Sequence, residues 1–169
     1  MEISAEAMLP VSPETAFDTF TDFPAYPRFL SGVDAVEMIT DPPLRLKSRF
    51  FETRTMFGHT ERVKLMVVAL DAPYHILFET RAVGTRFTLG IDLAPAEGGT
   101  RAALTITATP ETFKGRIALA FMAGMRSRIA EALATDLADG RAEAIRRGGP
   151  GVGGRAADGS RATHGGSMR

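Results

Sequence analysis

Apolar residues recur at every fourth position through Phe113, Ile117, Phe121, Met125, Ile129, Leu133 and Leu137. That spacing marks one slowly drifting face of a helix. The other side carries Lys114, Arg116, Arg126, Glu131 and Asp139. The pattern predicts a single long helix over 111–147, with Thr109 as N-cap, Pro110 at the first helical position and Gly148-Gly149-Pro150 as the stop. At about 1.5 Å per residue it would run roughly 50 Å. A stripe that long must lie across the rest of the chain.

The preceding chain alternates. Residues 3–11 read as a first strand. Ser12-Pro13-Glu14 then opens a short helix with N-cap, Pro at N1 and an acid in the first turn. Ala16, Phe17 and Phe20 share a side of it, and Asp22 and Pro24 break it. Tyr26, Phe29 and Leu30 suggest a second short helix ending at Ser31-Gly32. Strands follow over 33–40, 44–56, 61–70, 74–83, 85–93 and 100–109. They are separated by Asp41-Pro42-Pro43, Phe57-Gly58-His59, Asp71-Ala72-Pro73, Gly84 and Glu97-Gly98-Gly99. Within them Phe50, Leu65, Phe78, Phe87, Leu89 and Ile106 fall on inward parities.

Three stretches carry a family resemblance. Residues 11–33, VSPETAFDTFTDFPAYPRFLSGV, are similar to the opening of the START/polyketide-cyclase-like superfamily, also called SRPBCC. Residues 70–80, LDAPYHILFET, resemble one of its strands. Residues 94–110, APAEGGTRAALTITATP, resemble its last hairpin. The resemblance covers about residues 2–147. It implies an α+β helix-grip fold, in which a curved antiparallel sheet wraps a long C-terminal helix over a cavity. It leaves function open among lipid carriers, hormone receptors, coenzyme-Q-binding proteins and aromatase/cyclases. The Trp usual near Phe29 is absent, and the chain has no Trp.

Composition narrows the remaining classes. Hydrophobic residues make up 44% of the chain, enough for a core, and 20 basic residues cancel 20 acidic ones, which argues against a nucleic-acid partner. With no cysteine there is no disulfide, thiolate metal site or thiol nucleophile. The opening MEISAEAMLP lacks the basic region and apolar run of a signal peptide, and no apolar run approaches a transmembrane segment. The expectation is a cytoplasmic protein. Residues 1–147 would form the ligand-binding domain. Residues 148–169 would form a disordered Gly/Arg-rich tail with three arginines against one aspartate.

Candidate chemistry is sparse. His59, His75 and His164 have no metal-ligating spacing, and no P-loop or G-x-S-x-G occurs. No catalytic residue, metal or cofactor is assigned. His75 takes the outward parity, and Asp18 and Asp22 read as solvated or capping acids. Glu52 and Arg54 share the parity of Phe50, so either they point into the cavity and orient a ligand, or a bulge turns them to the rim to pair with Glu61, Arg62 or each other. The hydroxyl of Tyr26 needs a partner, either a ligand at the mouth or a water or backbone group. On the long helix, Met122, Met125, Ala118, Ala120, Ala123 and Gly124 leave room for an apolar pocket, or else allow close helix–sheet packing at Gly124.

The expected ligand-binding set is therefore Tyr26, Phe50, Glu52, Arg54, Leu65, Phe78, Phe87, Leu89, Ile106, Phe121 and Met125. The expected partner is a small hydrophobic molecule, a lipid, isoprenoid or polyketide-like compound, bound without catalysis. A cyclase-type enzyme using the cavity polar groups and a protein-interaction module are the alternatives.

Overall fold

The computed structural model describes residues 1–148; of the tail expected over 148–169, Gly148 ends the last helix, and the rest, with the disorder expected of it, lies outside the described residues. Among the described residues the order is β1 (Glu2–Leu9), α1 (Pro13–Thr21), a 3₁₀ turn (Phe23–Ala25), α2 (Tyr26–Phe29), β2 (Val33–Met38), β3 (Arg49–Met56), β4 (His59–Asp71), β5 (His75–Ala82), β6 (Thr85–Ala96), β7 (Gly99–Pro110), α3 (Phe113–Ala123) and α4 (Arg126–Gly148). The strands form one antiparallel sheet in the order β1-β7-β6-β5-β4-β3-β2. Sequential hairpins explain every pairing except β1 with β7, which brings the first strand beside the last. This is the α+β helix-grip arrangement.

Local chemistry accounts for the first helix. Ser12 is its N-cap, with Oγ accepting from the Thr15 N–H at 3.3 Å, and Pro13 follows at the first helical position. Asp22 closes it. The carboxylate of Asp22 does more than meet solvent: it accepts from Arg147 Nη2 at 2.9 Å, while Arg147 Nε reaches Glu143 at 2.7 Å, so one guanidinium ties α1 to α4. Gly140 permits the close approach of those helices, because a Cβ there would lie 2.4 Å from the Phe20 ring.

The strand expected over 44–56 begins only at Arg49. Upstream, side chains capture the backbone: Ser48 Oγ accepts from Arg45 N and Thr40 Oγ1 from Arg49 N, which competes with a ladder. Leu46 is left exposed.

The long helix also needs correction. Pro110 is the last residue of β7, paired with Thr85, and the N-cap is Thr112, whose Oγ1 accepts from Gly115 N at 3.1 Å. The helix then breaks at Gly124-Met125. There the bonds tighten to Gly124 N to Phe121 O and Met125 N to Met122 O, before Ile129 N to Met125 O restarts the α ladder. Glycine is a weak point for such a ladder.

The four-residue stripe does not stay on one side either. On a helix of 3.6 residues per turn each step of four drifts about 40°, so Phe113 and Leu133 stand about 200° apart even on a straight axis. Leu133 and Leu137 are buried, whereas Phe113, Ile117 and Phe121 face solvent. The inner side of α3 is Gly115, Ala118, Leu119 and Met122. Gly115 seats α3 on the β5–β6 hairpin, where a Cβ would come within 2.2 Å of the Gly84 carbonyl oxygen. Close packing at Gly124 does not occur; that residue is exposed.

Candidate functional site

Inward-facing residues of the sheet are sealed along one half and only partly buried in the middle of β6 and β7, beyond which Thr85 and Ala108 are buried again. On β6, Leu93 and Ile91 are buried while Leu89 and Phe87 are only partly so. On β7 the same change separates Leu104 from Ile106, and on β4 it separates Val67 and Leu65 from Val63. Registry places these residues side by side: Leu89 pairs with Ile106 and with Phe78, and Phe87 with Ala108 and Thr80.

At the sealed end, Phe23 stacks on Phe50 at 4.5 Å between ring centroids and meets Phe78 edge-on at 5.4 Å. Those side chains fill the space beneath α1 and α2. Over the partly buried stretch the concave face is roofed by α3 and the start of α4, where Met122, Met125 and Ile129 are partly buried. Leu89, Phe87 and Ile106 are thus covered less tightly than Ile91, Leu93 and Leu104 on the same face, and the space beside them is the candidate cleft.

Charged groups sit beside this cleft. β3 keeps an unbroken register with β4 from Arg49↔Met66 to Met56↔His59, so Phe50, Glu52 and Arg54 share the concave side. The sheet's irregularities fall instead in β2 and β4. Glu52 is 8% exposed. Arg54 Nη2 donates to Asp136 Oδ2 on α4 at 2.9 Å, and Arg54 Nε lies 3.0 Å from Glu52 Oε1. The second approach is too bent for a hydrogen bond, which leaves the buried Arg54 Nε–H without a hydrogen-bond partner. Glu52 and Arg54 therefore do pair with each other, but on the inner face of the sheet rather than at its rim.

Burial raises the Glu52 carboxyl above its ordinary 4.5, with Arg54 opposing, and raises Asp136 above its ordinary 3.8 for the same reason. Burial pulls the Arg54 guanidinium down, but Asp136 and Glu52 outweigh it, so the cation is held. Two acids around one cation leave an unmatched negative charge in a site poor in water, which favours proton retention. Tyr26 lies behind the cluster. Its hydroxyl donates to the Phe20 carbonyl at 2.6 Å, and burial followed by the Glu52 and Asp136 charges holds its proton well above the usual phenol range.

The pH consequence has a definite sign. A carboxyl whose pKa is raised on folding makes the folded state the better proton binder. Its contribution therefore destabilises progressively as pH rises from the ordinary carboxylate range through the raised one. Glu52→Gln removes one such group. The melting temperature of the variant relative to the wild type should climb across that window and level off above it; a difference independent of pH would contradict the assignment.

Sequence reasoning missed Asp136. Its signal was present: it stands three residues after Leu133 and four before Gly140, hence on the buried side of α4. Asp139, expected on the polar side, accepts from both Ser31 N and Ser31 Oγ at 2.8 and 2.7 Å, fastening the α2–β2 loop. His75 lies on the outer face with Nδ1 2.7 Å from Asp92. Of the expected ligand-binding residues, Phe87, Leu89, Ile106 and Met125 are partly buried, and Glu52 and Arg54 lie in the charged cluster with Asp136. Phe50, Leu65 and Phe78 are in the sealed core, Tyr26 is behind the charged cluster, and Phe121 is outside.

A sequence profile described as polyketide cyclase / dehydrase and lipid transport matches residues 1–139. The chain belongs to that family. Its opening, curved sheet and most of α4 fall within the matched range, while the last turns of α4 lie beyond it. No curated protein matches the chain. Among solved structures, TTHA0849 from Thermus thermophilus is 18% identical, with a TM-score of 0.70 over 87% of this chain and 99% of that one. The di-domain ARO/CYC StfQ from the steffimycin biosynthetic pathway is 15% identical with a TM-score of 0.71. The match covers 86% of this chain and 51% of StfQ. Ginseng major latex-like protein 151 from Panax ginseng is 9% identical with a TM-score of 0.69 over 85% and 96%. At these identities the likenesses concern the fold. The family itself spans enzymatic and transport activities.

Proposed function

We propose that the chain binds a small hydrophobic molecule, a lipid, isoprenoid or polyketide-like compound, in the cleft between the concave sheet and the α3–α4 roof, without a covalent step of its own. The observation that carries this reading is the looser burial of Phe87, Leu89 and Ile106 than of Ile91, Leu93 and Leu104 on the same face, next to the Arg54 guanidinium. Apolar walls supply a favourable transfer term of about 25 cal/mol per Å² before association costs. A cation beside the apolar walls fixes the polar end of a ligand. Phe87, Leu89, Ile106 and Met125 are the apolar contacts and Arg54 the polar one, with Glu52 and Asp136 holding its guanidinium in place.

The cyclase-type alternative has one observation in its favour: Glu52 and Asp136 resist ionisation, so a buried carboxyl could donate a proton. Against it, the Tyr26 hydroxyl is already committed to a backbone carbonyl.

Titration of an apolar fluorescent probe, with displacement by a fatty acid, an isoprenoid quinone and an aromatic polyketide, tests the reading. The wild type should bind saturably. Met125→Trp should fill the cleft and abolish uptake while stability is preserved or raised. If the space is already filled by side chains, the same substitution should overpack it and lose about 1–3 kcal/mol. No saturable binding of any of these compounds by the wild type would sink the proposal. Turnover of an aromatic polyketide or thioester would replace it with the enzymatic one.

A further inference from the structure

Alternating turns of an antiparallel sheet gather at two ends. At one end lie the β3–β4 tip with Met56, the β5–β6 tip with Val83, the start of β1, the end of β7 and the whole of α3. Helix α3 rests on the β5–β6 tip, with Glu111 N and Thr112 N both donating to the Gly84 carbonyl. Here the protein shows solvent its largest apolar side chains. Phe113 is 75% exposed, Ile117 59%, Phe121 74% and Val83 70%. Phe113, Ile117 and Phe121 occupy one ridge of α3, four residues apart. The inner side of the same helix is already used against β6 and β7, so the outer ridge is a second apolar face.

Charge on α3 and the start of α4 has one sign. From Thr112 to Ala130 the chain contains Lys114, Arg116, Arg126 and Arg128 and no acid. Lys114 and Arg116 flank the apolar ridge, one on each side, at about 60–100° from its centre on the helical circumference. Neither forms an ion pair among the described residues. Arg126 spends its guanidinium on the Glu2 backbone carbonyl and Arg128 lies over the Phe57 ring, so both keep their positive charge. The neighbouring acids Glu79 and Glu111 are matched by Arg81 and Arg86, whereas the exposed Glu2 and Glu61, further along this end, form no ion pair among the described residues.

We infer that this end of the molecule docks on an anionic lipid bilayer, with the ridge of α3 and the Val83 tip entering the headgroup boundary and Lys114 and Arg116 facing lipid phosphates. An apolar ridge between cations is the arrangement an interfacial helix uses, and each half of it is weak alone. The cationic rim disfavours a second copy of this chain, because two such faces would set like charges against each other. Docking itself does not depend on the cleft holding anything.

Co-sedimentation of the full chain with phosphatidylcholine vesicles, with and without phosphatidylglycerol, tests this, with size-exclusion light scattering run alongside. Binding should need phosphatidylglycerol and should weaken about tenfold or more as salt screens the attraction. Phe113→Ser/Phe121→Ser and Lys114→Gln/Arg116→Gln should each weaken binding about tenfold with the melting temperature unchanged, since all four side chains face solvent. Absence of binding to anionic vesicles at low salt overturns the inference. So does binding that survives both double variants, which would place it on another part of the chain. A dimer dispersed by Phe113→Ser/Phe121→Ser also overturns it, making the ridge a self-association face. Probe uptake measured on the same variants should stay at wild-type level, which keeps the two proposals separable.

Discussion

Arg54→Met should cost about 3–5 kcal/mol of stability at neutral pH, the usual consequence of removing one member of a buried charge group. The guanidinium is the only cation in the group with Glu52 and Asp136, and both carboxyls already sit where burial disfavours ionisation. Without it they must either remain ionised with no partner or take up protons. Acidification should therefore narrow the deficit. As pH falls through the raised carboxyl range both proteins gain from proton uptake, but the variant gains more, because Arg54 opposes protonation in the wild type and is absent from the variant. Urea unfolding at neutral and mildly acidic pH measures both effects. A loss below about 1 kcal/mol that does not change with pH would be that of a solvated surface pair and would exclude a buried cluster.

Phe50→Ala should be equally severe, about 3–5 kcal/mol. Phe50 is 1% exposed and stacked on Phe23, with Phe78 edge-on at 5.9 Å. Truncation empties the centre of the aromatic group that holds the 3₁₀ turn and α2 against the sheet. Phe121→Ala is the internal control. The sequence pattern puts Phe121 on the packed stripe and would assign it a comparable loss, but a side chain so exposed should change stability by no more than about 0.5 kcal/mol. Denaturant midpoints of the two variants therefore test the orientation of α3 directly. A larger loss at Phe121 than at Phe50 would reverse that orientation.

Much of the fold was legible in the chain because it rests on short-range rules. The β3 register follows from period-two alternation of Phe50, Glu52 and Arg54, α1 from Ser12-Pro13, and the hairpins from their Gly- and Pro-bearing turns. The resemblance at residues 11–33 and 94–110 supplied the order of the layers. The site was legible only in part. Strand parity put Leu89 and Ile106 on the inner face, but parity does not say how tightly that face is covered, and cover is what separates Leu89 from Ile91.

The succession of elements, the inward parity of Glu52 and Arg54, and the apolar character of both walls are written in the chain itself, because they depend on periods of two and about 3.6 residues within single elements. Packing between distant elements settled the rest: which acid meets Arg54, how tightly the inner face is covered and which way α3 faces. Asp136 is 82 positions from Arg54 in the chain, and no local period relates them. The stripe from Phe113 to Leu137 is one pattern in sequence but two surfaces in space. The drift of a four-residue repeat and the break at Gly124 together turn its first half away from the sheet that buries its second.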